Sequence, residues 1–109
     1  MKPLIISTAQ FENRSGDKDY NLDVISCLSA KAAGEGSRVI AFHECSVTGY
    51  TFARNLTREQ MLDLAENLSD SHIIRRLTGI AGKNNITILA GLFEKDDEDR
   101  IFKTCVCKQ

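Results

Sequence analysis

The chain has 109 residues, of which 42% are hydrophobic and 27% are charged, so it can form one small hydrophobic core and is neither disordered nor fibrous in composition. Fourteen basic and fifteen acidic side chains leave a formal net charge of −1, which gives no long-range field for attracting nucleic acid. The apolar run near the start, Leu4–Ile6, is too short for a membrane span or a signal peptide, so we expect a cytoplasmic protein with reduced thiols.

The first part of the chain predicts a strand, a helix and a second strand. Leu4–Phe11 is a short, β-branched apolar run that is typical of a buried strand. Apolar residues then recur at helical spacing over about 18–33, with Asp17 as the expected N-cap and Gly34 as the stop. Arg38–Phe42 has apolar residues on both faces, which favours the interior of a sheet that is covered on both sides.

One or two helices are predicted before the third strand. Thr57 followed by Gln60 fits a capping box, and the apolar stripe behind it extends to Leu68. Ser69 or Asp70 can cap the next helix. The stripe of that helix consists of Ile73, Ile74, Leu77, Ile80 and Ala81.

The end of the chain predicts a β-hairpin. Ile86–Leu92 is a nearly continuous apolar strand, the charged run 94–100 suits a solvated turn, and Ile101–Cys107 resumes as a strand. The alternation of strands and helices indicates an α/β fold with right-handed crossovers between the first three strands and an antiparallel last strand. We therefore expect a mixed sheet flanked by helices, in one domain that spans residues 1–109.

Two carboxylates follow predicted strands. In open α/β sheets functional groups collect beyond the carboxyl ends of the strands, and Glu44 lies there in the sequence Phe42-His43-Glu44-Cys45. A partly desolvated carboxylate at this position suits general-base chemistry, and a paired structural carboxylate is the alternative. Glu94 occupies a comparable position after the third strand, where it is either a second functional carboxylate or the solvated start of the charged turn.

Two short pairs of metal-ligating residues suggest a zinc site as an alternative function. The pairs are His43 with Cys45 and Cys105 with Cys107, and residues i and i+2 of a strand share a face. In the other interpretation the two C-terminal cysteines fill a strand face as small hydrophobes and His43 hydrogen-bonds locally. Extended geometry would place Glu44 on the opposite side from His43 and Cys45.

The order of the predicted strands and helices, with the motifs at their ends, resembles that of a known family. After the opening strand and helix, Val39–Glu44 runs into Thr48-Gly49-Tyr50, and Ile86–Glu94 and Ile101–Cys107 follow. Over essentially the whole chain this resembles the amino-terminal part of the nitrilase, or carbon–nitrogen hydrolase, superfamily. Two residues depart from the family pattern. His43 stands where the family usually has proline before the glutamate, and Lys103 stands where an asparagine is common.

The resemblance implies a fold and a need for a second layer that covers its sheet. The family fold is a four-layer α-β-β-α sandwich, and the chain matches its amino-terminal part. A single sheet of such a sandwich should expose an apolar face. We therefore expect self-association, as a homo-oligomer, or pairing with a partner segment that covers the sheet.

The resemblance also implies a chemistry. Family members hydrolyse non-peptide carbon–nitrogen bonds of small amides or nitriles with a Glu, a Lys and a Cys, and without a cofactor or metal. The family pattern carries the general base onto Glu44 and an accessory glutamate onto Glu94. The lysines and cysteines of the last strand come too early for the family's lysine and nucleophile, so we expect the chain to lack both and to be inactive alone. These residues are Lys103, Cys105, Cys107 and Lys108. A non-catalytic binding module remains the alternative.

Overall fold

The computed structural model describes residues 3–109, which form a four-stranded mixed sheet. Strands β1 (Ile6–Ala9), β2 (Val39–Phe42), β3 (Thr87–Lys95) and β4 (Ile101–Lys108) lie in this order across the sheet. The β1–β2 and β2–β3 pairs are parallel, and β3 and β4 form an antiparallel hairpin. The predicted mixed α/β sheet is thus confirmed.

Helices occupy the connections between the parallel strands. They are α1 (Lys18–Gly34), α2 (Arg58–Leu64) and α3 (His72–Asn84), and a 3-10 turn at Thr51–Asn55 precedes α2. The predicted N-cap of α1 is confirmed, because the Asp17 carboxylate accepts a hydrogen bond from a backbone N–H of the first turn. Among residues 3–109 no helix has the length and apolar character needed to cross a membrane.

The boundaries around α2 and α3 differ in part from the prediction. The capping box of Thr57 and Gln60 begins α2 as predicted. The N-cap of α3, however, is Ser71, whose hydroxyl accepts a backbone N–H of the first turn, so the prediction of Ser69 or Asp70 is wrong. Those two residues lie in the loop that precedes Ser71.

The predicted extension of the second helix to Leu68 is also wrong, because α2 ends at Leu64. The backbone then becomes extended and joins the edge of β3. The Glu66 N–H donates to the Phe93 carbonyl at 2.8 Å, and the Glu66 carbonyl accepts from the Lys95 N–H at 2.9 Å. These pairing bonds replace the helical ones that the local sequence pattern favours.

The side chain of Glu66 ties three elements together. Its carboxylate accepts hydrogen bonds from the Lys18 ammonium at the start of α1 and from the Ser71 hydroxyl, 2.6 Å away, at the start of α3. The Lys18 and Glu66 side chains are mostly buried. The junction therefore fixes the starts of two helices against the edge of the sheet.

The main core lies between one face of the sheet and helices α1 and α3. Its large, fully buried side chains are Leu22, Ile25, Ile40, Leu77, Ile88 and Leu92 from the two layers, and Val47 from the turn after β2. A smaller cluster under α2 contains Cys45, Leu64, Ala65 and Phe93.

The other face of the sheet is open along much of β1, β2 and β4. Ile40 faces the core, so its neighbours Val39 and Ala41 face the other way, where they are only half-buried. Ile6 pairs with Val39 on this side and is 57% exposed. The expectation that β2 is covered on both sides is therefore wrong for these residues. We define the open face by these residues that share this side through strand register: Ile6, Thr8, Val39, Ala41, Thr87, Leu89, Cys105 and Cys107.

Candidate active site

Glu44 lies in the turn that directly follows β2. Its side chain is 62% exposed, and its Oε1 atom lies 2.9 Å from the Nζ atom of Lys103 on β4. The next residue, Cys45, has a φ of 53°, a left-handed conformation that turns the chain sharply away from the strand direction. The turn thus brings the carboxylate over the hairpin instead of continuing β2.

Backbone contacts with β3 hold this turn in place. The Val47 N–H donates to the Gly91 carbonyl at 3.0 Å, and the Gly91 N–H donates to the Ser46 hydroxyl at 3.2 Å. A Cβ atom at position 91 would lie 2.4 Å from the backbone nitrogen of Cys45. Glycine is required here because two backbones approach more closely than any side chain allows.

A buried asparagine supports the same turn from the side of α1. The Asn21 side chain is fully buried, and its amide nitrogen donates to the carbonyls of Arg14 and Val47, each at 2.8 Å. Its amide oxygen accepts the Arg14 N–H at 2.8 Å. Asn21 was not among the predicted site residues, although an asparagine directly before Leu22, in the apolar stripe of α1, is a signal in the sequence.

Lys103 is the second charged group of the site. Its ammonium group pairs with Glu44, donates to the Tyr50 hydroxyl at 3.0 Å and lies 4.6 Å from the centre of the Tyr50 ring. The hydrogen bond to Glu44, and then that to Tyr50, raises the pKa of Lys103. No local sequence signal links Lys103 to Glu44 or Tyr50; the only hint is a lysine where the family commonly has asparagine.

These groups surround one cavity of about 310 Å³. The cavity brings together the Glu44 carboxylate, the Lys103 ammonium group and two thiols. The residues that line it are Phe42, His43, Glu44, Cys45, Gly91, Lys103, Thr104 and Cys105. The expectation that Glu44 points away from His43 and Cys45 is wrong, because β2 ends at Phe42 and the turn removes the strand alternation.

The structure does not bring Glu94 into this cavity. In the β3–β4 register Glu94 pairs with Phe102, whereas Lys103 pairs with Phe93, so Glu94 and Lys103 point to opposite faces of the hairpin. The Glu94 carboxylate accepts a hydrogen bond from the Thr104 hydroxyl at 2.8 Å. Glu94 thus has a local partner of its own on the other side of the sheet.

The two residue pairs proposed for zinc do not form a metal site. Within residues 3–109, no group of three or more His, Cys, Asp or Glu side chains is arranged to hold a metal ion. Cys45 is buried, and burial, followed by the nearby Glu44 charge, raises the pKa of its thiol. A neutral buried thiol is a poor zinc ligand, since zinc binds the thiolate.

Known proteins with similar folds share this architecture. An amidase from Nesterenkonia sp. superposes with a TM-score of 0.72 at 22% identity, over 95% of this chain and 37% of the amidase. An N-terminal amidase with a bound Asn-Glu-Ala peptide superposes with a TM-score of 0.73 at 19% identity, over 92% of this chain and 24% of that protein. At these identities the likeness establishes the fold.

Sequence comparison identifies the family. An arylacetonitrilase from Aspergillus niger is 30% identical over 105 residues, which span 92% of this chain and 31% of that enzyme. This chain therefore corresponds to about a third of the length of that relative. The family model described as carbon-nitrogen hydrolase matches residues 5–108. With nearly every residue inside that match, the chain belongs to the carbon–nitrogen hydrolase family.

Proposed function

We propose that the chain supplies the general base of a hydrolase that cleaves small amides or nitriles, and that Glu44 is this base. The observation that supports the proposal is the position of Glu44, whose carboxylate lines a cavity at the carboxyl end of a central strand. In the reaction, Glu44 accepts the proton of a cysteine thiol, and the thiolate attacks the amide or nitrile carbon. A lysine stabilises the developing negative charge, and water then releases the acyl group.

The lysine and the nucleophilic cysteine of this mechanism come, in our proposal, from sequence that these 109 residues do not include. The relatives support this division, because the chain corresponds to 31% of the arylacetonitrilase and 37% of the amidase. Glu94 has no part in the proposed reaction, because it lies outside the cavity and on the opposite face of the hairpin from Lys103. The chain alone should therefore give no turnover of an arylacetonitrile or a small amide, and turnover that Glu44→Ala abolishes would contradict this division.

The role of Glu44 can be tested in a chimera. Residues 5–108 replace the matching segment of the arylacetonitrilase, and nitrile hydrolysis is measured with and without Glu44→Gln. We expect the substitution to reduce kcat by about 10²-fold or more, as for the loss of a positioned base. Glu12→Gln, at an exposed carboxylate away from the cavity, is the control and should leave kcat unchanged. A chimera that keeps its activity with Glu44→Gln, or one that folds but is inactive, would count against the proposal.

A second proposed role is association through the open face. Ile6 is 57% exposed there, and Val39 and Ala41 lie beside it. An apolar sheet face of this kind is typical of a surface that another layer covers. We propose that a second sheet covers it, either from the remainder of the hydrolase domain or from another copy of the chain.

A further inference from the structure

Lys103 joins the two ends of the turn that carries Glu44. The turn starts after Glu44 and ends at Tyr50, and its backbone closes where the Gly49 N–H donates to the Cys45 carbonyl at 2.8 Å. From β4, the Lys103 Nζ atom lies 2.9 Å from Oε1 of Glu44 and 3.0 Å from the Tyr50 hydroxyl. One ammonium group therefore holds both ends of the turn.

The position of this ammonium group is restricted at both ends of its side chain. The Lys103 backbone is opposite Phe93 in the β3–β4 register, and Phe93 is buried in the cluster under α2. The ammonium group also lies 4.6 Å from the centre of the Tyr50 ring, a distance at which a cation is attracted to an aromatic face. Because a lysine side chain is otherwise flexible, the contacts of Tyr50 tether its charged end.

The contact leaves the Glu44 carboxylate able to act as a base. The ion pair joins the ammonium group to Oε1, and since a carboxylate has two acceptor oxygens, Oε2 is the oxygen that can take a proton. The hydrogen bond to Glu44, followed by that to Tyr50, raises the pKa of Lys103. The lysine therefore keeps its charge wherever Glu44 is ionised.

Folding stability does not explain this contact. The Glu44 and Lys103 side chains are 62% and 46% exposed, and ion pairs with this exposure add little to the stability of a fold. Both side chains line the cavity. The consequence of the contact is thus local, because it determines where the carboxylate lies in the cavity.

We propose that Lys103, tethered by Tyr50, is a positioning residue that fixes the Glu44 carboxylate in the cavity for its role as a base. The proposal rests on the proposed function of Glu44 and adds two residues to it. Lys103 is not the lysine that stabilises the charge developing on the substrate, because its ammonium group is engaged with Glu44 and Tyr50. Without Lys103, the exposed Glu44 side chain would spend less time in a geometry that allows proton transfer.

The arylacetonitrilase chimera tests this role through kcat and KM for nitrile hydrolysis. Lys103→Met removes the charge and should lower kcat about tenfold with KM nearly unchanged, because the position of the base affects the chemical step. Lys103→Arg should keep most of the activity, since a guanidinium can contact both a carboxylate and an aromatic ring. Lys31→Met, which removes an exposed charge on α1, is the control and should leave kcat unchanged. Equal kcat values for Lys103→Met and Lys31→Met would overturn the proposal.

A double substitution separates positioning from direct action on the substrate. If Lys103 acts through Glu44, adding Lys103→Met to a chimera that carries Glu44→Gln should not lower kcat further. Losses that multiply would show that Lys103 acts on the substrate itself, and the positioning role would be wrong. A Glu44→Gln chimera with unchanged kcat would overturn the proposed function. A large effect of Glu44→Gln together with no effect of Lys103→Met would overturn the positioning role alone.

The tether can also be measured in the 109-residue chain without any activity. A water-soluble carbodiimide activates a carboxylate, and a neighbouring lysine amine then forms an amide with it while the carbodiimide leaves as a urea. Peptide mass spectrometry should detect this cross-link between Glu44 and Lys103, and Tyr50→Phe should lower its yield roughly threefold, because the ammonium group loses a hydrogen bond. The Lys18–Glu66 ion pair, which lines a separate cavity, is the internal reference and should not change. A wild-type chain without the Glu44–Lys103 cross-link, or an equal yield with Tyr50→Phe, would overturn the proposal.

Discussion

Gly91 determines how closely the Glu44 turn can approach β3. An alanine there would place its Cβ 2.4 Å from the backbone nitrogen of Cys45, and neither atom can move aside by a side-chain rotation. We expect Gly91→Ala to lower the free energy of unfolding by about 1–3 kcal/mol, as overpacking does elsewhere, and to displace the Glu44 turn from Lys103. Urea unfolding monitored by circular dichroism measures the change.

The matched control is Gly79, which lies in α3 with open space around an added Cβ. Gly79→Ala should raise the free energy of unfolding by about 0.5–1 kcal/mol, because alanine loses less conformational entropy in a helix. Similar effects of the two substitutions would show that the close contact at Gly91 is not what limits this position.

At the scale of elements, the Glu66 junction should matter more than the ion pairs on the surface. Glu66→Ala removes the shared acceptor of Lys18 and Ser71. We expect it to lower the free energy of unfolding by about 1–3 kcal/mol, the cost of leaving such donors without a partner. Asp70→Ala, which breaks the exposed pair with Arg75, is the control, and its expected effect is below about 1 kcal/mol. Equal losses in urea unfolding would contradict this role of Glu66.

Elements whose signals are local could be predicted from the sequence. The N-cap at Asp17, the capping box at Thr57 and the charged hairpin turn all depend on residues a few positions apart. The end of α2 could not be predicted, because Glu66 leaves the helix to pair with a strand that begins about twenty residues later. Long-range pairing outweighed the apolar periodicity that continued to Leu68.

In the candidate site, too, local features could be predicted from the sequence and long-range contacts could not. Glu44 could be selected as a candidate because it directly follows an apolar strand, and this needs no knowledge of neighbours. Its contact with Lys103 depends on the β3–β4 register and on the left-handed turn at Cys45. Neither is visible in the local sequence. The separation of Glu94 from Lys103 is likewise a consequence of register, which assigns alternate residues to opposite faces.

At the scale of the whole molecule, the open face should determine the state of association. We expect the chain to self-associate at tens of micromolar in sedimentation velocity, because specific association buries about 1,000 Å² or more and this face is the apolar surface available for it. Ile6→Lys, at an open-face residue that is 57% exposed, should shift the chain toward monomer.

Phe102→Lys is the control for a general loss of apolar surface. Phe102 is 48% exposed, but its register places it on the side of Glu94, away from the open face. This substitution should leave the sedimentation profile unchanged. A wild-type chain that sediments as a monomer, or equal effects of the two lysine substitutions, would argue against association through the open face.

The hydrogen bonds of Asn21 restrict what this position can accommodate. One short side chain provides two N–H donors and one acceptor to the backbone of two separate loops. Aspartate would set a negative charge against two carbonyls, leucine would remove the hydrogen-bond partner of three backbone groups, and glutamine would be one methylene too long. Any redesign of the core side of α1 should therefore keep Asn21. A change there would remove a support of the turn that holds Glu44, although the two residues are far apart in the sequence.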